Sequence, residues 1–372
     1  MHANTLIDRE HREVSSLSIP ELCDLAASGL VQMLDPEPQI FCHIFGRTEK
    51  GMRRQGLSPR YTLMTLLGLQ RYALSGHRSP VAIAPVLDRL RMDTTWITGA
   101  GDLGLLLWTC AELLPAQLPQ IYERVSARDA LQRFTDGQQG STMEVAWYLT
   151  GLATCCLAGY GDLPGISEQI AAARQILERN CGDSGVYGHR SRSDNFAGAV
   201  RRRIGSFADQ VYPTIAFSRL AQAFDDEKAR AMALRTAETM CDLQAPLGEW
   251  SWHYDAATGK VVSRYPVYSV HQHAMGPMML FAVGEATGAD FGEAIYRGLA
   301  WIGGNNELRR DFIEPSLGLI WRCIYLPPLK NYSDAALRIL QLRSGAANVR
   351  MKVRYECRPY ELGWLLYAFA GR

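Results

Sequence analysis

The residues best equipped for chemistry crowd into one stretch, Gly248–Pro277, which reads GEWSWHYDAATGKVVSRYPVYSVHQHAMGP. Tyr268 and His271 stand three apart there, on one face if the chain is helical. Such a pair can take and return a proton beside a carboxylate, provided an arginine neutralises that carboxylate and lowers the carbanion-like state. Arg264 is near enough in sequence to do so, and Tyr265, His273, Asp255 and the more distant Asp209 are further candidate acids and bases. Two well-placed carboxylates would instead support glycoside hydrolysis. Both chemistries stay open, because a sequence carries no distances. Trp250, Trp252 and His253 add faces on which a sugar ring or an apolar chain can stack.

Two other stretches share this plan. IFCHIFGRTEKGMRRQGLSPRY holds Phe41, His43, Arg53, Arg54, Arg60 and Tyr61; GVYGHRSRSDNFAGAVRRRIGSFADQVYP holds Tyr187, His189, Arg190, Arg201 to Arg203 and Tyr212. Each opens on aromatic-x-His and returns through basic residues. Guanidinium groups pair bidentately with carboxylate or phosphate. We therefore expect an anionic, ring-bearing ligand held by His43, Arg60, Tyr61, Tyr187, His189, Arg190, Tyr212, Trp250, Trp252, His253 and Arg264. Glu314 and Glu361, at the starts of apolar segments, are expected to join them.

Helices must position these residues. Some segments are amphipathic with one charged face, such as ISEQIAAARQILERN and DDEKARAMALRTAETMCDL; others are apolar nearly all round, such as GDLGLLLWTCAELL and STMEVAWYLTGLATCCLAG. The first kind is wet on one side, and the second must be buried. The two kinds alternate along the chain, with EPSLGLIWRCIY read as an inner helix and SDAALRILQLRS as an outer one. Alternation with short connections stacks helical hairpins. A linear stack needs polar caps at both ends, whereas this chain is apolar up to LLYAFAGR. We expect an all-α, closed α/α toroid of six or seven hairpins, forming one domain over residues 1–372 with a polar extension at 1–18. All three chemical stretches join an outer helix to an inner one. They should emerge at one rim as short insertions, WSWHYD and KVVSRYPVY forming a β-hairpin across AATGK.

Composition narrows the classes. The 372 residues are 47% hydrophobic and 21% charged, with a formal net charge of +1. That balance argues against nucleic acid as a partner, and no apolar run is long enough to span a membrane. Nine scattered cysteines without a C-x-x-C pair fit reduced thiols in a cytoplasmic protein. Phosphate-loop, dinucleotide, zincin and serine-elbow motifs are absent from the sequence. No cofactor is called for. Neutral imidazoles at His43, His189 and His253 are chemically able to hold a metal, but no spacing requires one.

Two resemblances follow from particular residues. QAPLGEW, with Gln244, Gly248 and Trp250, resembles the repeat of terpenoid-cyclase and prenyltransferase-type toroids that ties an outer helix to the next turn. That resemblance implies cyclisation of a polyprenyl chain, for which the D-x-D-D stretch is missing. YPVYSVHQHAMGPMML resembles the Tyr/His-bearing helix start of uronate-acting toroids, including glucuronyl C5-epimerases and polysaccharide lyases. It implies proton abstraction alpha to a uronate carboxylate, or elimination from one. The expectation is a carbohydrate-active epimerase, lyase or hydrolase taking an acidic sugar or glycan. A terpenoid-cyclase-like enzyme and a non-catalytic glycan- or protein-binding toroid are the alternatives.

Overall fold

The computed structural model describes residues 17–135, 141–189, 202–327 and 351–372. Arg190, Arg201, most of the N-terminal extension and SDAALRILQLRS lie outside the described residues. Six outer–inner pairs follow one another. α1 (Ile19–Met33) precedes α2 (Pro59–Leu74), and α3 (Ile83–Met92) precedes α4 (Ala100–Leu113). Two short helices, α5 (Leu118–Arg124) and α6 (Ala130–Thr135), take the outer place before α7 (Thr142–Leu157). α8 (Ile166–Asn180) leads to α9 (Phe207–Phe224), and α10 (Glu227–Asp242) to α11 (Gly276–Thr287), which is entered through a π-helical turn at His271–Met275. α12 (Gly292–Ile302) and α13 (Pro359–Phe369) complete the set.

Capping residues start these helices where the sequence changes character. Ser18 and Glu21 form a capping box on α1, and Ser206 and Asp209 form one on α9. Ser58 and Ser141 cap α2 and α7 by accepting from the N–H groups of Tyr61 and Glu144. The inner helices pack in the order α2, α4, α7, α9, α11, α13, and α13 returns against α2. The ring is closed. At that seam Gly68 lies on the backbone of Gly363, and the α4–α7 crossing uses Gly104 and Gly151 in the same way. Within the ring, Trp108 stacks on Trp364, Tyr367 meets both edge-on, and the Trp364 indole donates to the Tyr212 hydroxyl at 3.0 Å.

Strands stitch four of the six outer-to-inner connections together. β1 (Leu34–Asp35), β2 (Ile40–Thr48) and β3 (Gly51–Leu57) lie between α1 and α2; β4 (Ile204–Ser206) lies just before α9. β5 (His253–Asp255), β6 (Lys260–Ser263) and β7 (Val267–Tyr268) precede α11, with the β5–β6 hairpin turning across AATGK as expected. β8 (Ile313–Glu314), β9 (Leu319–Ile320), β10 (Cys323–Tyr325), β11 (Lys352–Arg354) and β12 (Glu356–Cys357) precede α13. β4 pairs with β5, β7 with β10, and β12 with β2, all antiparallel. A strand of one connection hydrogen-bonds to the next only if both leave the ring at the same end. All of them therefore share one rim.

One expectation is corrected here. Glu314–Tyr325 is not an inner helix but three short buried strands, and the described residues hold six hairpins. A run apolar on every face fits a buried strand as well as a buried helix; Pro315 and the left-handed Gly318 (φ 66°) turn it back between β8 and β9. No helix among the described residues is long and apolar enough to cross a membrane.

Closure at Gly68 is testable. A Cβ there would run into the carbonyl of Gly363. Gly68→Ala is expected to lower the unfolding free energy by at least about 2 kcal/mol, through overpacking between two backbones. Urea titration measures this as a lower midpoint at unchanged slope; an unchanged midpoint would mean that the α2–α13 seam is not as close as described.

Candidate functional site

The first turns of the six inner helices meet at the strand-bearing rim, and side-chain contacts link them around the ring. Arg60 on α2 pairs with Asp102 on α4 and, at 3.0 Å, with Glu144 on α7. Asp102 is almost wholly buried, which is tolerable only because Thr98 donates to it twice, at 2.8 and 2.9 Å, beside the arginine. From α7 the circuit passes to His189, whose carbonyl accepts from the Thr142 N–H at 2.8 Å. His189 Nδ1 stands 3.0 Å from Asp209 Oδ2 on α9. Phe207, the first residue of α9, stacks 4.4 Å from the His271 ring, and Arg322 on the last connection pairs with Glu361 on α13. Arg358 donates to the Tyr61 hydroxyl at 2.8 Å and returns the circuit to α2.

Aromatic faces line the stretch between α9 and α2. Trp252 stacks parallel to His271 at 5.8 Å and lies 4.8 Å from Tyr268. The Arg322 guanidinium sits 4.8 Å over the Tyr268 ring, and Arg358 5.9 Å over Tyr61. His43 stacks on the other side of this group, 5.0 Å from Tyr61, which in turn lies 4.5 Å from Tyr360. Farther round, Arg60 lies 5.7 Å over Trp147. Burial raises the Tyr268 hydroxyl above its ordinary value, and Arg322 opposes that rise. Glu361 is likewise pushed up by burial against the pull of Arg322 and Arg358.

Two groups at this rim are placed for proton transfer. Asp209 is buried and held rigid: its Oδ2 accepts from both the N–H and the hydroxyl of Ser206 at 2.8 Å, while Oδ1 is buried without a partner. It fixes the His189 ring, so Nδ1–H donates to the carboxylate and Nε2 is left to accept. The second group is Glu144, whose side chain is 33% exposed and whose hydrogen-bonding partner among the described side chains is Arg60.

Several expected residues sit elsewhere. Trp250 and Tyr187 are fully buried: the Trp250 indole donates to the Met240 carbonyl, and Tyr187 is fastened through its backbone to Gln210. They belong to the core and do not wall the mouth. Tyr212 is also buried, with its hydroxyl taken by Trp364, so it lies beneath the mouth. Asp255 anchors the β5–β6 turn. It accepts from Ala257 N at 3.0 Å and Thr258 Oγ1 at 2.9 Å, and hydrogen bonding from Arg203 holds it down at about 2.

Tyr265 donates to Glu307 at 3.2 Å, and Arg264 pairs with buried Glu249 and with Glu307, so both are committed to a structural ion cluster. Glu314 turns to Ser316 on the β8–β9 hairpin, which packs against α1 on the outer flank. His273 is wholly buried, and burial pushes it down to about 3. Burial pushes His271 to about 3 as well, so it is neutral and serves as a packing face for Trp252 rather than as a base at neutral pH. His253 lies beside Trp252 at 5.1 Å. No group of three or more His, Cys, Asp or Glu among the described residues is arranged to hold a metal ion.

Arg322, Glu356, Tyr360 and Trp147 went unread in the sequence. Arg322 had a signal: it is the one charge inside the apolar run GLIWRCIYL, and a charge that will be buried needs a partner. A small cavity of about 20 Å³ opens at the opposite end of the ring among Arg71, Arg219 and Tyr367. It has room for about one water. Its polar side chains are engaged with one another: Glu112 with Arg219 and Tyr367, Arg372 with Glu285, and Arg71 with the Tyr367 ring and carbonyl.

No protein-family sequence model matches the chain, and no curated protein matches it. Solved structures do. An unsaturated glucuronyl hydrolase specific for heparin superposes with a TM-score of 0.59 at 13% identity, over 94% of this chain and 95% of that one. An unsaturated glucuronyl hydrolase from Bacillus sp. GL1, responsible for degradation of glycosaminoglycan, gives 0.57 at 13% identity over 94% of each. A polysaccharide lyase gives 0.56 at 11% identity over 96% of this chain and 97% of that one. At such identity the likeness establishes the fold, and these matches lend nothing to the terpenoid-cyclase resemblance.

The two buried imidazoles have a measurable consequence. Their folded values, about 3, lie below the ordinary 6.5. Below pH 6.5 the unfolded chain binds protons that the folded chain refuses, so stability is full above that value and falls on acidification towards 3. Each contributes up to ~1.4 kcal/mol per pH unit in that window. His273→Gln is expected to flatten the fall of unfolding free energy between pH 6 and 4 by up to that slope. A parallel pH profile for the variant would show that His273 protonates normally in the fold.

Proposed function

We propose that this chain is a hydrolase or lyase of uronate-bearing oligosaccharides, with a uronate bound at the strand-bearing rim, unsaturated if the reaction is hydrolysis and saturated if it is elimination. The observation that carries this reading is the convergence, at one mouth, of arginine-backed aromatic faces with a His–Asp pair. The likeness to uronate-acting toroids supports it at the level of fold.

Arg358 is the group best suited to take the sugar carboxylate. One of its nitrogens rests on the Tyr61 hydroxyl, its nearest carboxylate oxygen outside α13, on Glu356, is 3.8 Å away, and its Nε is buried without a partner. Neutralising a uronate lowers the cost of the negative charge that elimination develops next to it, while for hydrolysis the same contact holds the sugar ring in place. Tyr61, Tyr268 and Trp252 supply the faces on which the ring rests. His189 moves the proton. Asp209 orients it and stabilises the imidazolium that forms, acting through His189 as a positioning residue. Glu144, accessible and beside Arg60, is the second proton-carrying group, as hydrolysis requires one group to give a proton and another to take one from water.

The test is direct. Oligosaccharides ending in saturated or unsaturated uronates are incubated with the protein and followed by mass spectrometry, where hydrolysis adds one water and elimination adds none. Turnover of a uronate substrate is expected, with kcat reduced about 100-fold or more in His189→Ala and Asp209→Asn. Asparagine keeps a side-chain oxygen able to accept from the Ser206 N–H, so the second variant should fold. No turnover across the panel, or full turnover by His189→Ala, would refute the assignment.

A further inference from the structure

Beside the mouth lies a cationic patch that the proposed chemistry does not use. β2 carries His43 and Arg47 on one face, four residues apart, so they are ~14 Å from each other along the strand. His43 stacks on Tyr61 in the mouth. At the far end, the Arg47 guanidinium lies 4.9 Å from the centre of the Tyr355 ring and 5.0 Å from that of Trp321. Arg310 lies 5.4 Å from the same Tyr355 ring. Arg47 and Arg310 are exposed, while Tyr355 is half-buried and Trp321 buried beneath them. The Arg47 N–H donates to the Tyr355 carbonyl at 2.9 Å, which locks the two segments in register.

Three of the arginines on aromatic rings are compensated by carboxylates: Arg322 by Glu356 and Glu361, Arg60 by Asp102 and Glu144, Arg264 by Glu249 and Glu307. Arg71 and Arg354 each lie on a ring without a carboxylate partner, but among the described residues only Arg47 and Arg310 meet on one ring, that of Tyr355. Arg47 and Arg310 have no carboxylate within ion-pair distance among the described residues, and their guanidinium groups make no hydrogen bond there. Stacking occupies the face of a guanidinium and leaves its five in-plane N–H donors at the edge, the edge that grips an oxyanion two bonds at a time. Two like charges sharing one ring repel unless an anion comes between or beside them.

Resting on the reading of the mouth as a uronate site, we infer that Arg47, Arg310 and Tyr355 form a second anion subsite. It takes a carboxylate or sulfate on a distant unit of the same oligosaccharide, which runs from the mouth along the His43–Arg47 face of β2. A ligand too short to span that face cannot reach it.

Calorimetric titration of the wild type and of Arg47→Gln/Arg310→Gln tests this with a uronate disaccharide, an unsulfated polyuronate hexasaccharide and a sulfated uronate-containing hexasaccharide. Both substituted residues are exposed, and a thermal melt checks that the fold is kept. The wild type should bind at least one hexasaccharide more tightly than the disaccharide. The double variant should lose about tenfold on that hexasaccharide and less than twofold on the disaccharide. Loss confined to the sulfated ligand assigns the subsite to sulfate, and loss on both assigns it to any anion of the right reach. Hexasaccharide affinity unchanged in the variant, or wild-type affinity independent of length, overturns the subsite alone. Failure of the wild type to bind any of the three overturns the functional reading with it.

Discussion

Closure of the inner ring is the constraint on which the rest of this molecule depends. A helix apolar on every face has to be covered on both flanks, and α4, α7, α9 and α11 obtain that cover from neighbours in chain order. α2 and α13 have no such neighbour on one side, so each is completed by the other. Gly68 and Gly363 let their backbones touch. Once the ring is shut, every inner helix runs in the same sense, and all six first turns point to one rim. Side chains far apart in sequence, such as Tyr61 and Arg358, become hydrogen-bonded partners by that single topological fact.

The rim then faces an electrostatic problem that the rest of the ring does not. Helix starts favour acidic residues, and Asp102, Glu144, Asp209 and Glu361 occupy four of the six. Three of these, Asp102, Asp209 and Glu361, are deeply buried, which is costly unless each is hydrogen-bonded or paired. Arg60 answers Asp102 and also Glu144, Arg322 answers Glu361, and Ser206 with His189 answers Asp209. The arginines in turn lie on aromatic faces that keep their flat groups oriented. Structural necessity and binding chemistry therefore use the same residue types. Capping explains the acids, but not His189, Tyr268 or the uncommitted nitrogen of Arg358.

Much of this was legible in the sequence because periodicity is a local property. One-sided and all-round apolar segments alternate strictly enough to announce hairpins, and insertions that join outer to inner helices have to share an end. Which aromatic turns inward is a tertiary matter. Trp250 and Trp252 are two residues apart in one motif, yet one fills the core against Phe207 while the other faces the mouth. His189 and Asp209, twenty residues apart, become a pair only because the connection between them folds back to the start of α9. Glu314–Tyr325 misled for a plainer reason, since buried strands and buried helices look alike when no polar residue marks a face. Arg322 broke that monotony, and its isolation was the available clue to the partner it needed.

The two ends of the ring differ in a way that bears on function. At the far end Glu112 receives hydrogen bonds from Trp108, Arg219 and Tyr367, and Arg71 lies over the Tyr367 ring and donates to the Tyr367 carbonyl. Charges and donors there answer one another, and the aromatic stack of Trp108 and Trp364 closes the interior above them. At the strand-bearing end the matching is incomplete: Arg358 Nε and Asp209 Oδ1 are buried without partners. An unsatisfied buried polar atom costs roughly 1–3 kcal/mol. The strand-bearing end thus holds an arginine donor and a carboxylate acceptor that neither helix capping nor packing has answered, one suited to an anionic oxygen and the other to a hydroxyl.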